Sequence, residues 1–264
     1  MSSVFSPPIS VVLPFSSVWD SPTSGGGIET FVRLLCGIAS EVGLELIVPG
    51  VGRHESHEAS VHFYPVIERA ESEYEYVRAL RQFIRSGKLC APAGAVVLAN
   101  AEHYDWALRR LRLPTVLMAH GVVSETLRIR RGWLYARLFG TFVESEAVRR
   151  SYRVVCVTDR VREYYTHRYP SEPQGKFVFI SMGVDLTSFM GRPRRSLPSE
   201  LGINVRGPII LFVGRLSKEK NVPLFVAACD RLAASGQDFT AVLVGDGPER
   251  DRLEGMLSGR PWLR

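Results

Sequence analysis

The sequence has few cysteines and no long apolar run, and both features narrow the kinds of protein it can encode. Cys36, Cys90, Cys156 and Cys229 are far apart, each within an apolar stretch, and none forms a CxxC pair. Disulfides and a zinc site are therefore disfavoured, and we expect buried, reduced thiols in a cytoplasmic protein. No apolar run approaches the ~20 residues needed to span a bilayer. The opening residues, MSSVFSPPIS, lack a charged region followed by an apolar one, so we expect no signal peptide.

Two glycine-rich fingerprints of nucleotide-binding enzymes are also absent. The sequence contains neither GxGxxG nor GxxxxGK followed by Ser or Thr. Their absence disfavours dinucleotide-binding and P-loop enzymes. We also expect no metal and no organic cofactor.

The charge balance is basic. Lysines and arginines number 33 against 27 aspartates and glutamates, which gives a formal net charge of +6 and an isoelectric point near 9.3. This favours an anionic partner such as a nucleotide, a phosphorylated substrate, a nucleic acid or an acidic membrane. A hydrophobic content of 45% with 23% charged residues is typical of a globular protein.

Short apolar runs alternate with amphipathic stretches along most of the chain. Several of these runs are apolar on both faces, as buried parallel strands are. Predicted strands occupy residues 9–15, 44–50, 61–66, 95–100, 114–122, 153–159 and 176–184. Predicted helices occupy residues 28–42, 73–86, 103–111, 124–150 and 159–168. This alternation predicts a doubly wound α/β domain with right-handed crossovers.

The composition changes after the last of these strands. Residues 187–207 are rich in Arg, Pro, Ser and Gly, which is typical of a linker. We therefore predict a first domain over residues 1–190, a linker over 191–207 and a second domain over 208–264. The second domain has predicted strands at 208–216 and 239–247 and predicted helices at 222–235 and 248–258. Two strands with two helices leave a sheet edge and helix faces uncovered, so we expect this domain to be incomplete.

The second domain opens with the basic loop LFVGRLSKEKN, residues 211–221. Its strand delivers Gly214 at the carboxyl end, where open α/β sheets place their ligands. Asn221 can cap the following helix, and Pro223 suits its first turn. Arg215 and Lys220 are the residue types that bind phosphate. A solvated basic turn would show the same pattern.

Two features of the first domain also fall after predicted strands. The loop TSGGGIETFV, residues 23–32, precedes a helix, and its glycines allow positive φ and close approach to an anion. His120 ends an apolar strand, where it could hydrogen-bond a sugar hydroxyl or move a proton. A flexible turn and a locally satisfied surface histidine are the alternatives. His103 is a weaker case of the same kind, and GDGP at 245–248 is interpreted as a turn.

The stretch RIRRGWLYARLF, residues 128–139, combines four arginines with aromatic and aliphatic residues at helical spacing. Such a helix can lie on an acidic membrane surface, which leaves open a peripheral location at the inner face of the membrane. A core-facing helix with a solvated basic edge gives the same pattern. No recognisable nucleic-acid-binding module is present, so we expect no nucleic acid partner.

Taken in order, several motifs together resemble those of one enzyme family. They are GGGIE after the first strand, MAHG in mid-domain, SMGVDLTSF before the linker, and LFVGRLSKEKN and LVGDGPERDRL after it. The chain resembles the retaining GT-B glycosyltransferases of family four, which transfer sugars from nucleotide-sugar donors. The resemblance implies two Rossmann-like domains facing across a cleft. It also implies that Arg215 and Lys220 bind the donor diphosphate, that Gly26 and Gly27 lie close to the phosphates, and that His120 acts near the donor sugar.

The same resemblance implies binding partners, and it also shows where this sequence departs from the family. The partners would be a nucleotide-sugar donor and a glycan, lipid-linked or small-molecule acceptor. Met182 and Asn221 stand where the family commonly has Asn and Gly. The family also carries a pair of glutamates that hold the donor, and Glu249 and Glu254 come too early to be that pair. We therefore expect a C-terminally truncated chain, and a non-catalytic remnant or a half-protein needing a partner segment is the alternative to an enzyme.

Overall fold

The computed structural model describes residues 9–19, 26–184, 186–188, 190, 202, 205 and 207–263. The chain divides into two compact units. The first comprises the described residues up to Ser124 together with Leu134–Leu186, and the second comprises Glu125–Trp133 and the described residues from Thr187 onward. Most of the predicted linker, residues 191–207, lies outside the described residues, so the domain boundaries stay a prediction.

Strands and helices alternate through the first part of the chain. The strands are β1 (Ile9–Val12), β2 (Phe15–Val18), β3 (Leu44–Val51), β4 (Ser56–Glu58), β5 (Val61–Ile67), β6 (Val96–Ala99), β7 (Thr115–Ala119), β8 (Arg153–Cys156) and β9 (Phe177–Phe179). The helices are α1 (Gly27–Ile38), α2 (Glu73–Arg85), α3 (Asp105–Leu108), α4 (Val123–Arg131), α5 (Trp133–Phe139), α6 (Ser145–Arg150) and α7 (Asp159–Arg168). Short 3-10 turns flank α3, and a π turn, Gly140–Glu144, joins α5 to α6.

The nine strands form one sheet in the order β4-β5-β3-β1-β6-β7-β8-β9, with β2 pairing with β3. All pairs are parallel except β4 with β5. The chain moves outward from β1 to β3 and β5, then returns to the other side of β1 at β6. This reversal creates a topological switch point between β1 and β6, beside which doubly wound sheets bind their ligands. The predicted α/β class is confirmed.

The sheet is buried on both faces. Val12, Val97, Leu117 and Val154, from four of the strands, belong to one apolar cluster that also includes residues of α2, α6 and α7. A second cluster packs Val32 of α1 against residues of β1 and β3. Burial on both faces explains why these strands are continuous apolar runs without polar alternation.

Two predicted elements are interrupted for backbone reasons. The strand predicted over 9–15 is two short strands, because Pro14 lacks the N–H that a ladder needs. Strand β1 pairs with β3 and β6, and β2 pairs with β3 further along. The helix predicted over 124–150 is broken at Gly132, whose φ of 91° lies in the region that glycine adopts most readily. The predicted helix at 103–111 is a series of short 3-10 and α turns.

The burial of the cysteines matches the prediction for two of the four. Cys156 and Cys229 are buried, as predicted, but Cys36 is half-buried and Cys90 is exposed. Within the described ranges, no three His, Cys, Asp or Glu side chains are grouped as metal ligands would be. Among those same residues, no helix combines the length and hydropathy needed to cross a bilayer.

The second unit contains a two-stranded parallel sheet, β10 (Ile209–Val213) and β11 (Thr240–Val244). The crossover between the strands contains α8 (Val222–Ala234), and α9 (Arg250–Leu257) follows β11. Val226, Cys229, Ala241, Leu253 and Trp262 form its core. On the other face of β10, Ile209, Leu211 and Val213 are exposed.

The loops that follow β10 and β11 run side by side. Gly214 and Leu216 donate backbone hydrogen bonds to Val244 and Asp246 at 3.0 and 2.8 Å. A β-carbon on Gly245 would lie 1.9 Å from the Gly214 carbonyl oxygen, and one on Gly247 would lie 2.4 Å from that of Leu216. The GDGP turn therefore carries glycine because the neighbouring loop passes too close for a side chain.

Tyr76 ties three elements of the first unit together. It is fully buried on α2, and its hydroxyl donates to the Pro49 carbonyl of β3 at 2.7 Å. The same hydroxyl accepts the backbone N–H of Phe15, at the start of β2, at 3.2 Å. Removing it would leave a buried N–H and a buried carbonyl without this partner.

We expect Tyr76→Phe to lower the free energy of unfolding by about 1–3 kcal/mol, because a buried donor and acceptor lose their hydrogen bonds. Tyr74→Phe is the matched control, since Tyr74 lies on the same helix but is exposed. Denaturant titrations of both variants check this. Equal unfolding midpoints for the two variants would contradict the proposed tie.

Candidate functional site

His120 lies one residue beyond β7, at the carboxyl edge of the sheet, as predicted. Its ring is half-buried and meets the Phe31 ring of α1 edge-on, with 5.8 Å between ring centroids. Neither ring nitrogen has a hydrogen-bond partner among the residues that the structure describes. The histidine is therefore not the locally satisfied surface residue of the alternative interpretation. Unpaired polar atoms in such a place are available to a ligand.

Burial lowers the pKa of His120 from its ordinary 6.5 to about 4, and the nearby carboxylate of Glu29 offsets only part of that effect. The imidazole is consequently neutral at neutral pH. A neutral ring presents one N–H donor and one acceptor nitrogen. It is suited to hydrogen-bonding a hydroxyl group.

The start of α1 is held by Glu29, whose role the sequence reasoning did not identify. The Glu29 carboxylate accepts the backbone N–H of Gly26 at 2.6 Å and the Ser17 hydroxyl of β2 at 2.7 Å. Burial raises its pKa, but these hydrogen bonds outweigh burial and hold the pKa below its usual value. An acidic residue at the third helical position is the available sequence signal, since it completes a capping arrangement.

The glycines of this loop differ from their predicted use. Gly26 has φ of −108°, an extended conformation, so it is not there for positive φ. Its amide is already engaged by Glu29, whereas a β-carbon on Gly27 would meet nothing within 4 Å. Gly27 thus leaves open space at the first residue of α1. Residues 23–25 of the predicted loop lie outside the described residues.

His103 does not share the environment of His120. Its ring packs edge-on against Tyr104 with centroids 4.6 Å apart, and its Nε2 lies 3.3 Å from a Glu73 carboxylate oxygen. Burial lowers its pKa, against the opposing effect of Glu73. This arrangement is structural packing with a charged neighbour.

A cluster of glutamates and tyrosines is linked by hydrogen bonds to the segment that follows His120, and no sequence pattern predicted it. Glu144 accepts the Tyr169 hydroxyl at 2.7 Å and the Tyr164 hydroxyl at 3.3 Å. Tyr164 also hydrogen-bonds Ser124, four residues after His120, at 2.9 Å. These contacts fix the chain just beyond the candidate histidine. Glu102 accepts a hydrogen bond from the Tyr165 hydroxyl at 2.7 Å. Burial raises the pKa of the Glu102 carboxyl to about 7.

In the second unit, the loop after β10 carries the predicted cationic residues. Arg215 and Lys220 are both exposed, and neither forms an ion pair within the part of the chain that the structure describes. Asn221 occupies the N-cap position of α8, but its side chain makes no capping hydrogen bond, so that part of the prediction is wrong. Its φ of 48° is left-handed, a conformation that glycine and asparagine adopt more readily than other residues.

The loop's carboxylate, Glu219, is neutralised within the second unit. Glu219 forms a two-pronged ion pair with the guanidinium of Arg130. Hydrogen bonding from Arg130 lowers the Glu219 pKa to about 2. The positive charges of Arg215, Lys218 and Lys220 are therefore left uncompensated by Glu219.

A small cleft lies beside this loop. It has a volume of about 260 Å³ and is lined by Ser217, Lys218, Asn221, Val222, Pro223, Glu249, Arg252 and Leu253. Arg215 and Lys220 are not among its lining residues. The predicted phosphate-binding side chains thus stand on the exposed part of the loop rather than in this cleft.

The structure brings the predicted residues together in two sets. His120 and the start of α1, with Gly26 and Gly27, lie in the first unit at the carboxyl edge of its sheet. Arg215 and Lys220 lie in the second unit, on the loop that follows β10. Among the residues that the structure describes, each set includes polar or charged side chains without a hydrogen-bond or ion-pair partner, and such side chains are free to contact a ligand.

The fold is that of the GT-B glycosyltransferases. A solved sucrose-phosphate synthase from Thermosynechococcus elongatus matches 96% of this chain and 69% of its own with a TM-score of 0.73, at 18% identity. Residues 25–188 match Glycosyltransferase Family 4, and residues 193–260 match Glycosyl transferases group 1. The chain belongs to Glycosyltransferase Family 4.

Curated relatives match a shorter part of the chain. Alpha-D-kanosaminyltransferase of Streptomyces kanamyceticus is 29% identical over 166 residues, 61% of this chain and 42% of the relative. Alpha-maltose-1-phosphate synthase of Mycolicibacterium smegmatis is 30% identical over 149 residues, 53% of this chain and 36% of the relative. The matched region thus spans less than half the length of either relative.

The lowered pKa of His120 predicts a pH dependence of stability. Between pH 6.5 and about 4, the unfolded chain binds a proton at this residue that the folded chain does not. Stability is therefore expected to fall as pH drops through this window, and His120→Asn should make the fall shallower. Denaturant titrations of both proteins across the window check this, with circular dichroism at neutral pH as the test of folding. Parallel stability curves would contradict the lowered pKa.

Proposed function

We propose that this chain transfers a sugar from a nucleotide-diphosphate-sugar donor to an acceptor, with retention of the anomeric configuration. Membership of Glycosyltransferase Family 4 supports the reaction class. The observation that carries the proposal is the exposed pair of cations, Arg215 and Lys220, on a loop whose own carboxylate is neutralised by Arg130.

In this proposal, Arg215 and Lys220 bind the donor diphosphate. An arginine offers a planar fork of donors to phosphate oxygens and a lysine offers a compact charge. Helix α8 begins at Val222, two residues after Lys220, so the positive end of its dipole adjoins the same loop. Negative charge grows on the diphosphate as it departs, and fixed positive groups stabilise that charge in the transition state.

His120 is proposed to act at the donor sugar. Its neutral ring has two nitrogens without partners among the described residues, so it can both donate to and accept from sugar hydroxyls. Fixing a hydroxyl in this way orients the sugar for attack. The ring's own orientation is supported by its edge contact with Phe31.

The start of α1 is proposed to accommodate substrate by leaving space. Gly27 presents no side chain and has open space around it, which allows a phosphate or an acceptor to approach the backbone. Gly26 contributes differently from the expectation, because its amide donates to Glu29. Glu29 then holds the helix start in place, and Gly26 provides the extended backbone that this cap requires.

The transfer is proposed to take place on one face of the donor sugar, with the acceptor attacking from the side that the diphosphate leaves. The acceptor is a glycan, a lipid-linked sugar or a small molecule. We expect the donor and product to share one anomeric configuration, which proton coupling constants from NMR of the product measure. Inversion would refute this part of the proposal while leaving sugar transfer intact.

We expect one nucleotide, among UDP, GDP, ADP and their sugars, to raise the melting temperature of the chain. Ligand at 100 times its Kd adds about 2.7 kcal/mol of stability, a measurable shift in a thermal-shift assay. Lys220→Ala should abolish most of the shift by removing a diphosphate contact. Lys88→Ala is the matched control, because Lys88 is an exposed lysine of the first unit.

The outcomes separate the alternatives. A shift with one nucleotide that Lys220→Ala loses and Lys88→Ala keeps would support the diphosphate site and identify the donor base. No shift with any nucleotide would favour a non-catalytic chain or one that needs a partner segment. An equal shift in both variants would remove Lys220 from the site.

A further inference from the structure

We propose that His57 and His62 bind a divalent transition-metal ion such as Zn²⁺ at the edge of the sheet in the first unit. The two histidines are direct neighbours on the antiparallel pair of strands β4 and β5. Their Nδ1 atoms lie 3.1 Å apart. The proposal goes beyond sugar transfer, and it departs from our expectation that the protein binds no metal.

The histidines end a row of polar side chains that crosses four neighbouring strands. Ser10 lies on β1 and Glu45 on β3, while His62 lies on β5 and His57 on β4. The Ser10 hydroxyl donates to one Glu45 carboxylate oxygen at 2.8 Å. The other Glu45 oxygen lies 3.1 Å from Nε2 of His62. The row therefore holds His62 by one ring nitrogen while the other nitrogen faces His57.

This row is at the opposite edge of the sheet from the candidate sugar-transfer site. Ser10, Glu45 and His62 are each the second residue of a parallel strand, so they lie near the amino-terminal ends of β1, β3 and β5. His120 follows the carboxyl end of β7, which runs parallel to those strands. The histidine pair is thus a separate feature of the first unit.

Glu45 determines which nitrogen of His62 carries a proton when the ring is neutral. A carboxylate accepts hydrogen bonds, so the Nε2 atom beside Glu45 is the N–H nitrogen. The lone pair of the ring is then on Nδ1, which faces Nδ1 of His57. A carboxylate that accepts from the far nitrogen of a histidine in this way is the usual second partner of a metal-ligating imidazole.

His57 has a carboxylate and an aromatic ring on its own far side. Its Nε2 lies 3.8 Å from a Glu55 carboxylate oxygen. The Tyr64 ring meets the His57 ring edge-on, with 5.7 Å between centroids. A carboxylate near each Nε2 favours N–H at that nitrogen, which leaves both Nδ1 atoms to face each other as acceptors. A cation between two such acceptors removes the repulsion between their lone pairs.

The separation of the two Nδ1 atoms matches the spacing that a metal ion imposes on its ligands. Zn²⁺–N bonds of ~2.0–2.1 Å, with angles between about 90° and 109°, place two ligating nitrogens roughly 2.8–3.4 Å apart. Imidazole nitrogen suits Zn²⁺, Cu²⁺ and Ni²⁺, whereas Mg²⁺ prefers oxygen ligands. The His57 side chain is 50% exposed, so water has access to the remaining coordination positions.

Calorimetric titration of Zn²⁺ into the 264-residue chain, free of any polyhistidine tag and stripped with a chelator, tests the proposal. It needs no sugar donor, so its outcome is independent of the transfer reaction. We expect saturable binding of one ion per chain, no comparable binding of Mg²⁺, and a melting temperature that rises with Zn²⁺. His57→Gln and His62→Gln should each lower the affinity about tenfold or more, because each removes a ligand.

Matched variants separate this pair from adventitious metal binding. His54→Gln removes an exposed histidine between β3 and β4, and Cys90→Ser removes an exposed thiol, and both variants should bind Zn²⁺ like the parent chain. Glu45→Gln should weaken binding about tenfold while leaving both ligands in place, because His62 loses its carboxylate partner. Circular dichroism confirms that each variant is folded.

Electron paramagnetic resonance of the parent chain with Cu²⁺ needs no substitution. We expect hyperfine coupling to imidazole nitrogens, since Cu²⁺ binds such ligands more tightly than Zn²⁺ does.

Three results would overturn the proposal. The first is the absence of saturable Zn²⁺ binding by the parent chain, in which case a proton shared between the rings holds the pair together. The second is an affinity for Zn²⁺ that both the His57 and the His62 variants retain. The third is loss of binding in Cys90→Ser, because the thiol would then be the ligand.

Discussion

Parallel pairing of neighbouring strands is the constraint on which both units depend. Because parallel strands end at the same edge, every loop that leaves a carboxyl end enters one shared region. In the first unit this places His120, after β7, at the same edge as the loop leading into α1. In the second it sets the loop carrying Arg215 beside the GDGP turn, and only glycine allows the two backbones to pass so closely.

The polar groups fall into two kinds according to whether the protein already satisfies them. Glu102 and Glu144 are buried with tyrosine hydroxyls as partners, and Glu219 is paired with Arg130. These groups hold the structure together. His120 and Lys220, in contrast, have no such partners among the described residues. Buried polar atoms in folded proteins are nearly always hydrogen-bonded, so the two unpaired nitrogens of His120 make it a candidate for contact with a ligand.

The sequence predicted the strands and helices well where hydrophobic periodicity alone decides them. Helix α7 begins and ends where predicted, and β3 and β5 extend one residue beyond their predicted ranges. Predictions were wrong where a backbone detail intervened, at Pro14 and Gly132. Strand β4 was not predicted, because three polar residues at a sheet edge carry no apolar pattern and pair only once β5 is in place.

The sequence by itself determined the α/β class, the location of the candidate residues after strands, and the excess of positive charge. These follow from local patterns, because strand and helix periods and loop composition are properties of short segments. Tertiary structure alone decided that His120 is half-buried and neutral, that Glu29 engages the amide of Gly26, and that Leu138 and Phe142 are exposed. Burial and hydrogen bonding depend on residues far apart in the chain, and so they become defined only when the sheet and its helices have packed.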